Sequence, residues 1–344
     1  MQAKRRNHLH RLAKILAPLL LTLFSLPAFS ADKKDFSLEL EPLFGLKTGR
    51  TDEYVFLKRS DYDSDKLSEL NWETRHEFYG GLKVGAGFKS VFLETSFTAG
   101  IPSRIGEMKD SDWFNVLYSG LENYQYKTNY SESDNYLQYD YSYNLKAGYS
   151  FNLPELKRLR TSIRLFTEFQ HKSFKFNGKN GRAWYGNLAD GHYAKYNNLT
   201  NQTVYDFSGG IISYKRQASF FWLGLDVSLK FLEDFIFSTG FKASPYFYCE
   251  SIDSHHLTGN DYMDVTPAYF AAFNWTAGAE YKITGRQSIC INAAYFFMRA
   301  VRGDDYSKPS SQKKFHDGNK DTVVDGGAGE RAFSISFSYK FKVL

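Results

Sequence analysis

The sequence predicts an all-β fold, a ten-stranded antiparallel transmembrane β-barrel with long extracellular loops. Three observations predict it. Apolar and polar residues alternate strictly over long runs, as from Phe333 to Phe341, from Tyr139 to Phe151 and from Phe273 to Ile283. The apolar face of these runs is heavily aromatic, in a chain holding 31 Phe, 25 Tyr and 5 Trp. The connections between runs alternate between short and long. A period of two means strands with one apolar and one polar face. A soluble sandwich alternates as well, but in shorter strands. After residue 30, no stretch reaches the ~18 apolar residues of a spanning helix. Long strands that are apolar outside and polar inside describe an outer-membrane barrel. Lipid tolerates no unpaired sheet edge, so the sheet must close.

Residues 1–30 read as a secretory signal peptide. Lys4, Arg5, Arg6, Arg11 and Lys14 precede an apolar run at 15–27, and Ala28-Phe29-Ser30 offers small residues for cleavage. The run is too short to span a bilayer comfortably. Those five cations account for the excess positive charge: without them 38 basic residues face 38 acidic ones. A nucleic-acid partner therefore loses its main support. Residues 31–344 form the barrel, which is expected in the bacterial outer membrane with its long loops at an extracellular mouth. The composition is too apolar and aromatic for a disordered chain. Cys249 and Cys290 are too few for a disulfide scaffold or a four-thiolate zinc site, and they read as unpaired, on opposite strand phases.

Ten strands are expected at about 36–48, 68–85, 88–100, 135–152, 160–176, 211–230, 235–252, 267–283, 287–302 and 330–342. The short connections are Ala86-Gly87, Leu153–Leu159, Phe231–Asp234 and Thr284–Arg286. The long ones are 49–67, 101–134, 177–210, 253–266 and 303–329. Short turns on the periplasmic side and long loops outside are the barrel rule. Aromatic stripes become the lipid-facing wall. Lumen residues such as Lys146, Glu280 and Lys282 are expected to form internal ion pairs rather than a conduction path.

Two constellations on the long-loop side could carry chemistry. Asp110-Ser111-Asp112-Trp113 follows the third strand, and Asp253-Ser254-His255-His256 ends the seventh. Residues i and i+2 of an extended chain share a face, so each motif presents a matched pair. Strands three and seven lie on nearly opposite walls of a ring of ten. Asp253 can accept a hydrogen bond from His255 and raise its basicity. Asp110 and Asp112 would share a proton, since two close carboxylates do not both ionise easily. Together they could activate water for hydrolysis without a covalent intermediate. Spacing alone is equally compatible with solvated polar loops, and three Asp with one His could instead ligate a metal. Asp317-Gly318-Asn319-Lys320-Asp321 resembles the start of a calcium loop, but Thr322 and Ala328 stand where Gly and Glu belong. His256 alternates away from His255.

Taken together, these segments resemble the omptin family of outer-membrane aspartyl proteases, ten-stranded barrels, from about Leu38 to the last strand. Gly49–Phe56 resembles the family's first-loop segment, and Leu67–Trp72 the start of its second strand. Asp110-Ser111-Asp112-Trp113 resembles its Asp-x-Asp-Trp couple. Ile211–Arg216 is similar to its sixth strand, and Glu250–His255 to the segment with its Asp-His couple. Gly327-Ala328-Gly329 precedes the last strand, as in the family.

The resemblance implies catalysis by Asp110, Asp112, Asp253 and His255, with water between the couples and neither metal nor cofactor. It implies peptide or protein substrates, cut next to basic residues, and contact with outer-membrane lipid. Glu53 matches an acidic residue of the family's pocket for a basic P1 side chain. Ser251 stands where the family has a second acid, which implies a weaker basic preference. The segment Phe169–Phe174 does not match the family's lipopolysaccharide-binding cluster, so lipopolysaccharide dependence is not carried over. The chain ends on Leu344 rather than on an aromatic. The alternative from another class is a non-enzymatic barrel, a porin or adhesin that keeps this fold.

Overall fold

A computed structural model describes residues 36–58, 65–118, 120–156 and 159–343. The signal-peptide segment, residues 1–30, lies outside the described residues. The strands are β1 (Phe36–Leu57), β2 (Lys66–Phe88), β3 (Val91–Gly100), β4 (Arg104–Asp112), β5 (Asn129–Asn152), β6 (Arg160–Gly186), β7 (Leu188–Ala189), β8 (His192–Tyr193), β9 (Gln202–Phe231), β10 (Phe235–His255), β11 (Asn260–Ala268), β12 (Ala272–Lys282), β13 (Gln287–Pro309) and β14 (Lys320–Lys342). Among the described residues the helical segments are single 3-10 turns, at Phe114–Leu117, Glu122–Tyr124 and Asp317–Asn319.

Every pairing is antiparallel, and β1 pairs with both β2 and β14, so the ladder returns to its start. β3 and β4 are successive halves of one wall position, between β2 and β5. β12 and β11 likewise share the position between β10 and β13. The ring therefore has ten positions, with β7 and β8 as a separate two-stranded ribbon. The short turns stand where the sequence places them, except that the first reversal is Lys89-Ser90, three residues later than expected, with Lys89 in the left-handed region at φ 53°.

The strands run well past their expected ends. β6 continues to Gly186, β9 begins at Gln202, and β13 reaches Pro309. Alternation marks only the part of a wall that faces lipid. Beyond it, both faces meet polar surroundings and the pattern fades, yet the ladder continues because backbone N–H and C=O groups still need partners. Much of what reads as loop is thus paired strand, and this raised wall carries the candidate site.

Within the lipid-facing part, the alternation is obeyed. Phe333, Ile335, Phe337, Tyr339 and Phe341 are exposed, while Ser338 between them is buried and donates to Glu41. The lumen is crossed by ion pairs. Lys146 meets Asp226 at 2.6 Å, Lys242 meets Glu168 at 2.7 Å, Lys83 meets Glu41 at 3.0 Å, and Glu280 meets Lys340. Lys282 is in none of these pairs. Cys249 and Cys290 are both free and both buried. They share the inward phase, contrary to the expectation of opposite phases. Cys249 packs with Phe220, Trp222 and Phe247, whereas Cys290 lines a cavity of about 350 Å³ with Glu41 and Lys340.

Candidate active site

The wall breaks at Ile101-Pro102-Ser103, between β3 and β4. Pro102 has no N–H for a ladder, so a break is chemically cheap there. Pairing resumes in β4, where Asp110 lies opposite Leu70 of β2 and Ser131 of β5, and Asp112 opposite Ser68 and Asn129. The chain leaves the wall straight after Asp112. Thr128 clamps that exit: its amide and hydroxyl both donate to the Asp112 carbonyl, at 2.8 and 3.1 Å, and its hydroxyl accepts the Phe114 N–H at 3.1 Å. Asp110 and Asp112 point to one face of β4.

Across the mouth, β10 carries Ser251, Asp253 and His255 at alternate positions. Asp253 lies opposite Tyr214 of β9 and Tyr262 of β11. His255 Nε2 and Asp253 Oδ2 are 2.5 Å apart. The imidazole and the Tyr262 ring meet edge to face, with centroids 5.1 Å apart. With Nε2 bonded to Asp253, Nδ1 is the nitrogen left to accept a proton. His256 is exposed, as its phase requires.

Between the two pairs lies an apolar floor. Leu70, Trp72, Met108, Phe174, Phe176, Ile212 and Tyr214 form one buried cluster, with Trp72 stacked on Tyr214 at 5.7 Å. Leu70 is the cross-strand partner of Asp110, Tyr214 that of Asp253, and Ile212 that of His255. Directly opposed residues share a face. The charged pairs are therefore the next layer above a dry floor.

That placement sets the proton affinities. Asp110 and Asp112 keep some surface open to the groove, but protein crowds their other sides. Burial, opposed by His255 and reinforced by Asp253, pushes Asp110 up to about 6. Burial and the neighbouring Asp110 hold Asp112 well above the usual carboxylate range, although Ser68 hydrogen-bonds it. Burial disfavours the His255 cation, but Asp253, with Asp110 and Asp112, outweighs it and raises the imidazole to about 9. Each pair thus feels the other across the groove. Asp110 Oδ1 and Asp253 Oδ1 are buried and accept no hydrogen bond from another described residue.

Glu53 on β1 and Ser251 on β10 are both buried, at 5% and 1% exposure. Burial and the Asp253 carboxylate hold Glu53 well above its ordinary value. Three neighbours escaped the sequence reading. Asp264 on β11 and Asp305 on β13 are buried beside this group, in stretches that read as loop. Arg216 on β9 is buried and donates to Gly329 O at 2.9 Å, Asp52 O at 2.7 Å and Tyr214 Oη, tying three walls together. Its inward phase, two residues after Tyr214, was the available signal. The calcium-like segment is a local turn, in which Asp321 Oδ1 accepts the Val323 and Val324 amides.

A family model described as the Omptin family matches residues 33–342, nearly the whole described barrel. The chain belongs to the omptin family. Its barrel is accordingly one of the bacterial outer membrane. The outer membrane protease OmpT from Escherichia coli has a similar structure, with a TM-score of 0.70 and 18% identity, covering 92% of this chain and 99% of that one. This likeness shows a shared fold. The translocator domain of the autotransporter NalP from Neisseria meningitidis matches with a TM-score of 0.29 and 6% identity over 95% of this chain and 97% of that one. Neisserial surface protein A matches with a TM-score of 0.24 and 8% identity over 87% and 96%. No curated protein sequence matches. In this omptin, the two acid-bearing motifs of the sequence stand on facing walls of one mouth, and Glu53 and Ser251 lie buried beside the Asp-His pair.

Proposed function

We propose that this omptin is an endopeptidase whose active site faces the cell exterior, and that water held between Asp110/Asp112 and Asp253/His255 attacks the peptide carbonyl. One observation carries this reading: a hydrogen-bonded Asp-His pair and a half-buried Asp-Asp pair stand close enough to shift one another's protonation across a groove. A water between them would satisfy the orphaned oxygens of Asp110 and Asp253. In the tautomer that leaves the imidazole neutral and its proton on Asp110, His255 Nδ1 takes the water's proton as oxygen attacks carbon, and Asp253 stabilises the imidazolium. The Asp110/Asp112 pair, fully protonated in that tautomer, hydrogen-bonds the developing oxyanion. The imidazolium then returns its proton to the leaving amine. Buried Glu53 favours substrates with a basic residue beside the cleaved bond.

The reading is tested by incubating refolded protein with a peptide mixture, with Asp253→Ala as control. Cleavage by the wild type alone supports it. A correctly folded wild type that cleaves nothing leaves the non-enzymatic barrel. Activity is also expected to survive EDTA; complete loss restored by zinc or calcium would reassign the quartet to a metal.

The pH profile is expected to be a bell with limbs near 6 and 9. Below about 6, Asp110 and His255 are both protonated and no acceptor remains. Above about 9, both have lost their protons and no donor remains. Between the limbs the quartet holds one proton fewer than its full set, the state with both an acceptor and a donor. The limbs belong to the quartet rather than to single residues. A plot of kcat/KM against pH checks this, and a profile flat from 5 to 10 would exclude His255 and Asp110 from the chemistry.

A further inference from the structure

We infer that the acid absent at position 251 is supplied from the next strand: Asp264, paired with Asp305, is the second carboxylate of a cation pocket whose first is Glu53. This rests on the peptidase reading above and names the residues that would select its substrate. The register places Asp264 directly opposite Ser251 on one side and opposite Asp305 on the other. Opposed residues share a face, so Asp264 occupies the inward surface that Ser251 and Asp253 define. Asp264 and Asp305 are each 4% exposed.

The Asp264 carboxylate leans past β13 onto Gly326 of β14. A Cβ added at Gly326 would fall 1.8 Å from Asp264 Oδ1, so only glycine leaves space for it. The next inward residue of β14 is Ala328, the cross-strand partner of Glu53. The two acids are therefore separated along β14 by Gly and Ala alone.

The acids of this corner are only partly satisfied. Glu53 Oε2 is buried and has no hydrogen-bond partner among the described residues. Arg216 is near, but its hydrogen bonds go to two carbonyls and to Tyr214. Asp264 and Asp305 hydrogen-bond one another, which two carboxyl groups do only with a proton between them. The charged groups around that pair are Glu53 from β1, Arg216 from β9 and Asp253 from β10, with Lys58 and Asp321 near Asp305. Acids prevail in this set. A guanidinium or amidinium entering here brings charge and a planar fork of donors to Glu53 and Asp264. Its arrival displaces the shared proton to solvent, so cation binding is coupled to proton release.

The test has a binding arm and a cleavage arm. Benzamidine is titrated calorimetrically into the refolded barrel at pH 7 in two buffers of different ionisation enthalpy. Binding with net proton release is expected, weakened at least about tenfold in Asp264→Asn. In cleavage, the ratio of kcat/KM for P1 Arg over P1 norleucine is expected to fall at least about tenfold in Asp264→Asn. It should largely recover in the double variant Ser251→Asp/Asp264→Asn, which moves the carboxylate to its register partner. Damage to folding would not be rescued in this way. An unchanged ratio in Asp264→Asn, or equal benzamidine affinity in both proteins, overturns the inference. If benzamidine binding depends on Asp264 but the wild type cleaves no peptide, the pocket stands and the peptidase reading falls.

Discussion

His255→Ala is expected to lower kcat/KM by about 10³–10⁴-fold, the upper range for a positioned acid–base group. The variant loses the acceptor of the water's proton and the donor to the leaving amine in one step. Asp253→Ala should lose nearly as much. Without the Asp253 carboxylate, only Asp110 and Asp112 still oppose burial, so the imidazole falls from about 9 and the alkaline limb of any residual activity moves down with it. The double variant should be scarcely worse than either single one, because the pair acts as a unit. Asp110→Ala and Asp112→Ala should each remove most activity, as each leaves the other carboxyl without the neighbour with which it shares a proton. All four residues stand above the lipid-facing wall, so the barrel should form in every variant, which gel migration with and without heating can show. The measurement is cleavage of a fluorogenic peptide by refolded protein. Near wild-type turnover in His255→Ala would remove His255 from the mechanism.

How much of this was legible in the sequence follows from what lipid imposes. A wall in lipid must be apolar outside and polar inside, so Phe333–Phe341 and Phe273–Lys282 announced themselves as strands with the correct facing. Above the membrane both faces meet polar surroundings, and β4, β11 and the outer parts of β6 and β9 carry no such pattern. The two motifs could be found because residues at i and i+2 share a face in any extended backbone. That rule placed Asp110 with Asp112, and Asp253 with His255, before any register was known. Register itself was not readable. Nothing in the chain order shows that Asp264, eleven residues after Asp253 on a returning strand, lies opposite Ser251. Nor does it show that Gly326 leaves room for its carboxylate. Cys249 and Cys290 illustrate the same limit: phase counted across bulges, such as the shift between Ala243 and Tyr246, is lost.

Glu53→Ala is expected to lower selectivity, and removing the charge alone, in Glu53→Gln, is expected to raise stability. A basic P1 side chain in this pocket would be buried against Glu53, and losing one partner of a buried hydrogen-bonded charge pair costs about 2–5 kcal/mol. The ratio of P1 Arg to P1 norleucine cleavage should therefore fall by at least about 30-fold, with Arg more affected than Lys because its fork reaches Glu53 and Asp264 together. Glu53→Gln keeps the volume and one acceptor but not the charge, so its loss should lie between. In the unliganded protein the same carboxyl is a burden. Burial and the acids around it raise its proton affinity well above the ordinary value of 4.5. A carboxyl whose folded pKa is raised favours folding most below its unfolded pKa and loses that contribution as pH rises towards its folded pKa, so near neutral pH Glu53 opposes folding. Glu53→Gln should then unfold at a higher temperature than the wild type at pH 7, and the difference should vanish below about pH 4. Thermal unfolding followed by gel migration, beside cleavage-site profiling on a peptide library, checks both halves. A Glu53→Gln barrel that is less stable at pH 7 would mean that Glu53 is a structural acid, and an unchanged P1 profile would mean that it does not meet the substrate.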